Sequence, residues 1–497
     1  MQQAPPASGD AATIAARGWK RLFTEPARPS SIRSRPNAFW FAVATVCIGA
    51  FMNQLDVSIV TVAFPTLEHS FNATVGDVTW VSLTYLLVVV SLITAVGRVA
   101  DMMGRKLLYT YGFLVFIIGS ALCGLAPSLL DLNGFRVLQG IGAAMLQANS
   151  VAIIVTAVPR DKLGRAIGVQ GAAQALGLAL GPTIGGLLIG LGGWRLIFYV
   201  NVPVGIVGTA LGWFLIPRSV HLTKKVTFDW WGLALFVPAV AAFLYAISEG
   251  DHLGWLSPII LAAFAAAIVL TPLFLLREKR CLHPLIQLAI FRRLQFSAGL
   301  ISGLLSYLVL FGVLFVTPFY LERALSQSPA QTGLELASLP ILLGVTAPFA
   351  GRLADRIGPE PLTVGGMALT AAGLFAMLLL HVSLLLIIVE LGIIGIGLGM
   401  FTPPNNAAIM GSAPHNQSGV ASGILNMTRG LGTAMGLALT GLIFGLAASS
   451  QSASHALVAE GLTYSLIFLI IVSFLAMAAA ALRGDAQLNR DPLAVAE

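Results

Sequence analysis

The sequence predicts an all-α integral membrane protein with about fourteen transmembrane helices. Composition excludes a water-soluble domain, because 57% of the 497 residues are hydrophobic, only 10% are charged and the mean hydropathy is +0.88. Lipid accepts only helices and closed barrels, since every backbone polar group must find its partner inside the protein. The apolar runs are long and unbroken, which favours helices over the short alternating segments of a barrel.

Apolar runs able to cross about 30 Å of hydrocarbon, at roughly 17 to 25 residues each, follow one another after residue 37. The first eight predicted spans are 38–64, 78–97, 107–126, 129–157, 164–191, 196–216, 228–248 and 255–276. The other six are 296–321, 333–351, 361–380, 383–412, 418–447 and 461–482. The segments between them leave no room for a soluble domain.

The basic residues predict the orientation. With a cytoplasmic amino terminus, 24 of the 28 Lys and Arg residues lie in cytoplasmic segments, two (Arg195 and Arg323) in outer loops and two (Arg136 and Arg429) within spans. Cytoplasmic loops carry the excess of Lys and Arg in membrane proteins. This distribution favours an even number of spans and both termini in the cytoplasm. It also explains the net charge of +7 without a nucleic-acid partner.

An internal repeat predicts two similar halves. The segment GRVADMMG at 97–104 recurs 254 residues later as GRLADRIG at 351–358. Duplicated helical halves are the usual construction of transporters, with the substrate site between them. The predicted organisation is a disordered cytoplasmic tail, a six-helix bundle, two inserted helices with a linker, a second six-helix bundle and a short tail: 1–37, 38–216, 217–295, 296–482 and 483–497.

Five segments carry a resemblance to a known family. Residues 97–106 resemble the loop between helices two and three of the major facilitator superfamily. The other four, LDVS (55–58), RVLQG (136–140), GLALGPTIGG (177–186) and WR with NVP (194–195 and 201–203), resemble motifs of its fourteen-helix drug:proton antiporters. The resemblance covers residues 38 to about 482. It implies two six-helix bundles plus two inserted helices, a place in a bacterial inner membrane, and multidrug efflux of the kind that gives antibiotic resistance.

Charged residues inside spans are the candidates for chemistry, because each costs on the order of 3 kcal/mol or more in the bilayer. Asp56 and Arg136 fall at similar depth, and we expect them to face one cavity. An acid there can take a proton from one side of the membrane and release it to the other. The resemblance likewise assigns the first-helix acid and the fourth-helix arginine to proton coupling and substrate binding. The alternative is a fixed structural ion pair.

Glu390 and Arg429 are the second pair of intramembrane charges. Glu390 either meets a cationic substrate, carries a second proton, or pairs with Arg429 as a structural lock; the sequence leaves these open. The predicted lining of the substrate cavity is Glu390, Arg429, Phe51, Met52, Tyr85 and Gln139. The aromatic and sulfur side chains of this set would give a greasy wall for drug-like ligands.

Glycines and loop charges suggest moving contacts. Small residues at four-residue spacing allow close helix packing, and the predicted antiporter motif comprises Gly177, Gly181, Pro182, Gly185 and Gly186. It is either a tight contact around which the halves rock or ordinary packing. The predicted cytoplasmic gate comprises Gly97, Asp101, Gly104, Arg105, Lys106, Asp355 and Arg356. Its aspartates would cap helix ends and bind the charges of the neighbouring helix, and so latch one conformation. The alternative is that the loop charges only set the orientation of the protein in the membrane, which explains the arginines but not the aspartates.

The predicted function is proton-coupled export of amphipathic, cationic small molecules by alternating access, carried out by a monomer in the bilayer. The alternative on the same fold is a dedicated exporter of one endogenous metabolite, peptide or lipid. An enzyme or primary pump is disfavoured because the sequence lacks a phosphate-binding loop, an H-E-x-x-H pair and a G-x-S-x-G turn. We expect no cofactor and no metal.

Overall fold

The structure, a computed structural model, describes residues 25, 28–35, 37–159, 162–219, 229–281, 284, 288–380, 383–412, 418–448 and 454–482. The helices of the amino-terminal part are α1 Ser30–Arg33, α2 Phe39–Phe71, α3 Val75–Met103, α4 Arg105–Leu125, α5 Leu129–Ala157, α6 Leu163–Gly192, α7 Leu196–Tyr199 and α8 Asn201–Leu215. Those of the remainder are α9 Trp230–Leu253, α10 Pro258–Arg280, α11 Leu294–Arg323, α12 Pro329–Leu336, α13 Ser338–Ile357, α14 Pro359–Leu380, α15 Leu384–Ser412, α16 Ser418–Ala448 and α17 His455–Ala481.

Among the residues that the structure describes, fourteen segments are long and apolar enough to cross a membrane, with α7 joined to α8 and α12 joined to α13. The all-α class and the predicted number of spans are confirmed. The first bundle comprises α2 to α8, the inserted hairpin α9 and α10, and the second bundle α11 to α17. We call the end of the molecule where α2 begins the tail end, and the opposite end the far end.

The two bundles repeat one packing scheme. In the first bundle α2 packs on α6 and α4 on α5, and in the second bundle the corresponding pairs are α11 with α16 and α14 with α15. The second helix of each bundle stops at a glycine with positive φ, Gly104 at +112° and Gly358 at +87°. Only glycine adopts such angles at little cost. The sequence repeat is therefore also a repeat of helix contacts and turn geometry.

At the far end the bundles are joined. Glu68 at the end of α2 forms an ion pair with Arg323 at the end of α11, and the Glu68 side chain is only 1% exposed. The same arginine stacks on Phe319. Near the middle of both helices, α3 of the first bundle packs along α16 of the second, and a Cβ added at Gly430 would collide with Val90. The Glu68–Arg323 ion pair closes the far end.

The inserted hairpin lies against α3 and α16. The Trp80 indole donates a 2.7 Å hydrogen bond to Glu249 Oε1 and packs on Tyr245. At the tail end of the hairpin, Asp229 caps α9 and pairs with Arg277 of α10 at 3.0 Å. One polar contact thus ties the hairpin to α3 near the far end, and another joins the two helices of the hairpin at the tail end.

The described part of residues 1–37 differs from the disorder predicted for the tail. Ser30–Arg33 is helical, and the Arg28 guanidinium donates to the Leu215 carbonyl at the end of α8. The Glu25 carboxylate accepts hydrogen bonds from Ser219 N at 2.6 Å and from Leu107 N at 3.3 Å. The carboxylate gains backbone donors at the start of α4, which explains the order of this short segment.

Candidate functional site

The deepest polar cluster lies inside the first bundle, and we call it the buried network. Arg136 Nη1 of α5 lies 2.6 Å from Asp56 Oδ2 of α2. The other carboxylate oxygen, Oδ1, accepts hydrogen bonds from Gln139 Nε2 at 2.7 Å and Asn201 Nδ2 at 2.9 Å. Both amides also donate to Ser120 Oγ, each at 3.1 Å. Four helices, α2, α4, α5 and α8, therefore contribute to one network.

Each charge of the pair is fully buried, with a side-chain exposure of 0%. Arg136 is held further by a 2.8 Å hydrogen bond from Nε to the Val81 carbonyl and by the ring of Tyr85, whose centroid lies 4.2 Å from the guanidinium carbon. Removing one partner of such a pair leaves an uncompensated buried charge, which costs several kcal/mol. Because the pair is fully buried, a proton can reach Asp56 only if water gains access to this network.

A cavity of about 60 Å³ lies between the two bundles. Side chains from α2, α3, α5 and α6 line one wall, and side chains from α11 and α16 line the other. The polar lining residues are Asn53, Gln54, Tyr85, Gln147, Gln174, Tyr307, Asn426, Arg429 and Thr433. The volume is that of about two water molecules, so a small organic molecule enters only when the bundles move apart.

A smaller void of about 10 Å³ continues the cavity. It shares Asn53, Gln54, Gln147 and Gln174 with the main cavity and adds Ser150, about one turn beyond Gln147 along α5 toward the tail end. The Ser150 hydroxyl accepts a 3.0 Å hydrogen bond from the Gln170 amide. Polar groups thus lead from the cavity toward the tail end.

The structure brings Asp56 and Arg136 into contact, yet neither lines the cavity, which corrects the expectation that both face it. Tyr85 lies between them and the void, because its ring stacks on Arg136 and also lines the cavity. Gln139 likewise belongs to the buried network and not to the predicted cavity lining. Met52 sits one turn from Asp56 on the same face of α2, points into the first bundle and packs near Gly205.

Of the other predicted lining residues, Arg429 lines the cavity and Phe51 and Glu390 do not. The Phe51 carbonyl packs on Gly177 of α6. Glu390 is 2% exposed on α15, and the described residues show no ion pair between it and Arg429. The Arg429 guanidinium lies 5.5 Å from the Tyr307 ring centroid, and its Nε has no hydrogen-bond partner among the described residues.

Sequence reasoning missed the carboxamides of the cavity, Asn53, Gln54, Gln147, Gln174 and Asn426. The signal was present, because each amide lies within an apolar span, where polar side chains are rare and face a partner or a water-filled space. They were missed because carboxamides carry no formal charge and are not aromatic, and these two properties were used to select most of the cavity residues. In the described part of the chain, no three His, Cys, Asp or Glu side chains cluster as metal ligands.

The predicted antiporter motif holds α2 and the second bundle together. A Cβ added at Gly177 would collide with the Phe51 carbonyl oxygen, and one added at Gly181 would collide with Ser58 Oγ. Gly185 packs in the same way on Ile59 of α2. Gly186 instead contacts α12 of the second bundle, whose Gly333 meets the Pro182 carbonyl. The motif therefore contacts both bundles.

The residues of the predicted gate have different surroundings in the structure. The Gly104 turn is covered by the Glu25 carboxylate, and Arg105 Nη1 donates to the Ala152 carbonyl at 3.4 Å. Lys106 is 1% exposed, Arg356 is exposed, and nothing lies within 4 Å of a Cβ built on Gly97. The side chains of Asp101 and Asp355 lie outside the described residues, so the latch they were expected to form stays a prediction.

Two helical bundles of like construction around a polar cavity define a membrane transporter. The family model of the Major Facilitator Superfamily matches residues 46–432, with a second match over 299–495. The chain belongs to this superfamily, and its members are transporters and not enzymes.

Several curated relatives share about a third of their residues with the chain. Riboflavin transporter RibZ of Clostridioides difficile is 34% identical over 407 residues, covering 82% of this chain and 88% of the relative. Multidrug resistance protein Stp of Mycobacterium tuberculosis is 33% identical over 410 residues, covering 82% and 76%. The tetracenomycin C resistance and export protein of Streptomyces glaucescens is 33% identical over 417 residues, covering 83% and 77%.

A solved structure supports the fold. A bacterial homolog of the human lysosomal transporter Spinster, in an inward-facing and unoccupied conformation, matches with a TM-score of 0.66 at 16% identity, covering 90% of this chain and 98% of that chain. At this identity the likeness concerns the fold alone.

Proposed function

We propose that this protein is a proton-coupled antiporter that exports amphipathic small molecules by alternating access, with the tail end in the cytoplasm. Its family and the relatives named for resistance and export support the direction of transport. The closed far end and the polar void leading toward the tail end suit a conformation that receives its substrate from the cytoplasm.

The observation that carries the proposal is the position of Tyr85. One side chain lines the substrate cavity and stacks at 4.2 Å on the arginine that holds Asp56. A ligand that contacts the ring changes the environment of Arg136. With the cavity occupied the ion pair keeps Asp56 deprotonated, and as the ligand leaves, weakening of the pair frees Asp56 to take a proton. Coupling requires such a two-state element, biased by both ligands.

The mechanism follows in three steps. Substrate enters between the bundles and contacts Tyr85. The bundles then close the tail end and separate at the far end, where the Glu68–Arg323 ion pair breaks. An external proton binds Asp56 as substrate leaves, and the return movement delivers that proton to the cytoplasm. The close glycine contacts of α6, with α2 in its own bundle and with α12 in the other, let the two bundles slide past each other at short distance.

The test uses purified protein in proteoliposomes with an imposed pH gradient and riboflavin as the transported probe. The wild-type protein should accumulate riboflavin against its gradient, and Asp56→Asn should lose this accumulation while retaining exchange of labelled for unlabelled riboflavin. Undiminished proton-driven accumulation by Asp56→Asn would reject the role given to Asp56. It would favour a fixed structural pair instead.

A further inference from the structure

The lining of the cavity differs from what a binder of cations needs. Among the described residues that line it there is no Asp or Glu, and its one formal charge is the guanidinium of Arg429. A cation in this void would meet a like charge without a compensating carboxylate, in surroundings of low polarity where such repulsion is strong. The predicted carboxylate, Glu390, lies elsewhere on α15.

The remaining polar groups suit a ligand with several hydrogen-bonding edges. Five carboxamides line the cavity, and each offers both a carbonyl acceptor and an NH₂ donor. Asn53 is 7% exposed, and its Oδ1 has no hydrogen-bond partner among the described residues. The Arg429 Nε likewise has no hydrogen-bond partner among the described residues. Buried polar atoms left in this way gain most from a ligand that completes their hydrogen bonds.

The aromatic side chains of the cavity favour a flat ligand. Tyr85 on α3 and Tyr307 on α11 stand on the two opposite walls of the cavity. Each ring has an arginine over it, Arg136 at 4.2 Å and Arg429 at 5.5 Å. A flat ring system inserted between the bundles can stack on tyrosine while its edges reach the amides.

Resting on the proposed function, we infer that the substrate class is planar, uncharged or anionic heteroaromatic molecules rich in hydrogen-bonding groups, and not lipophilic cations. Arg429 recognises the negative or carbonyl-rich edge of the ligand, and the amides of both bundles contact its remaining edges. The predicted cationic substrate gives way to this class, because no cavity carboxylate supports it.

The test measures equilibrium binding to the full-length protein in detergent by fluorescence, with three probes near neutral pH. Fluorescein and rhodamine 123 share a xanthene ring system but carry opposite charges, and riboflavin is planar and uncharged. Fluorescein and riboflavin should bind, and rhodamine 123 should bind at least about tenfold more weakly than fluorescein. Tighter or equal binding of rhodamine 123, or no binding of any probe, would overturn the inference.

Variants locate the effect. Arg429→Gln should weaken fluorescein binding by about tenfold or more and change riboflavin binding by less than about threefold. Arg429→Lys, which keeps the charge, should retain the preference for fluorescein. Arg280→Gln, at an exposed position at the end of α10, is the matched control and should bind all probes as the wild type does. An anion preference that survives Arg429→Gln would contradict the role of this arginine.

This outcome is separable from that of the proposed function. Binding in detergent needs no gradient, so a protein that fails to couple protons can still show the preference for anionic and neutral rings. Conversely, proton-driven export of rhodamine 123, with rhodamine 123 also the tighter binder, would leave the antiporter proposal intact and refute the substrate class.

Discussion

Two polar regions share helix α2 and differ in how their charges are balanced. In the buried network both oxygens of Asp56 accept hydrogen bonds, and the charges of Asp56 and Arg136 cancel at 2.6 Å. In the cavity, a few residues away on α2, Asn53 and Gln54 face a void beside an arginine that has no acidic partner there. Arg136 Nη2 and Asn201 Oδ1 of the network also lack a hydrogen-bond partner among the described residues, so the difference lies in the balance of charge. A balanced ion pair stabilises a fold, whereas an arginine without an acidic partner beside a void is available to a ligand.

The comparison predicts opposite responses to the removal of polar groups, and the largest effect belongs to the ion pair. Asp56→Leu or Arg136→Met alone should lower the free energy of unfolding by about 3–5 kcal/mol, because a buried charge is left alone. The double variant should be less destabilised than the sum of the two, and this non-additivity is read from thermal unfolding in detergent. Additive effects would mean that the two side chains are energetically independent.

The next effect concerns the position of α2, on which both regions depend. Gly177→Ala should cost about 1–3 kcal/mol of stability and impair transport, because the new Cβ meets the Phe51 carbonyl, a backbone atom that cannot rotate away. Gly171→Ala on the same helix is the matched control. Nothing lies within 4 Å of a Cβ there, so the change should be neutral or slightly stabilising. Equal losses for both variants would remove close packing as the cause.

Removing an amide of the cavity should have the opposite effect to removing a charge of the buried network: little loss of stability but a clear loss of ligand affinity. Gln174→Leu should change the free energy of unfolding by no more than about 0.5 kcal/mol, because the amide faces the void. Riboflavin affinity should nevertheless fall by about tenfold with the lost hydrogen bonds. Thermal unfolding and fluorescence binding of the same preparation separate the two quantities. A large loss of stability would place Gln174 in a structural network.

The smallest effect is at Asp229, which is buried but pairs with an arginine, Arg277, whose side chain is 41% exposed. Burial raises the pKa of Asp229, but the hydrogen bonds from Arg277 and from Gly232 N outweigh it and leave the pKa below its ordinary value. A lowered carboxyl pKa stabilises the fold above about pH 3.9, the ordinary value, and this contribution disappears as pH falls through the folded value. Asp229→Asn should therefore unfold at a slightly lower temperature near pH 7.

That difference in melting temperature should vanish at strongly acidic pH. A difference that persists when the carboxylate is protonated would assign the effect to shape and not to charge.

The sequence alone was sufficient for the architecture and for part of the site. Apolar run length and the distribution of basic residues predicted fourteen spans, because these follow from the bilayer itself. The cost of intramembrane charge picked out Asp56 and Arg136 as a pair. Which face of each helix points to the void could not be predicted, since neighbouring positions on one helix differ by 100°.

That limit explains the errors. Met52 and Gln139 were expected in the cavity and lie within the first bundle, while Asn53 and Gln54 line the void. The docking of Glu25 at the Gly104 turn was not predicted either, because it depends on a contact between segments about 80 residues apart.

The central claim, that occupation of the cavity is felt by Asp56 through Tyr85 and Arg136, is tested most directly by proton release. Riboflavin is added to the purified protein in weakly buffered detergent solution containing a pH-sensitive dye, and proton release is recorded per riboflavin bound. We expect the wild-type protein to release protons when riboflavin binds, and Asp56→Asn to bind riboflavin without release. Equal proton exchange by both proteins, or tight binding to the wild type with none, would contradict the claim.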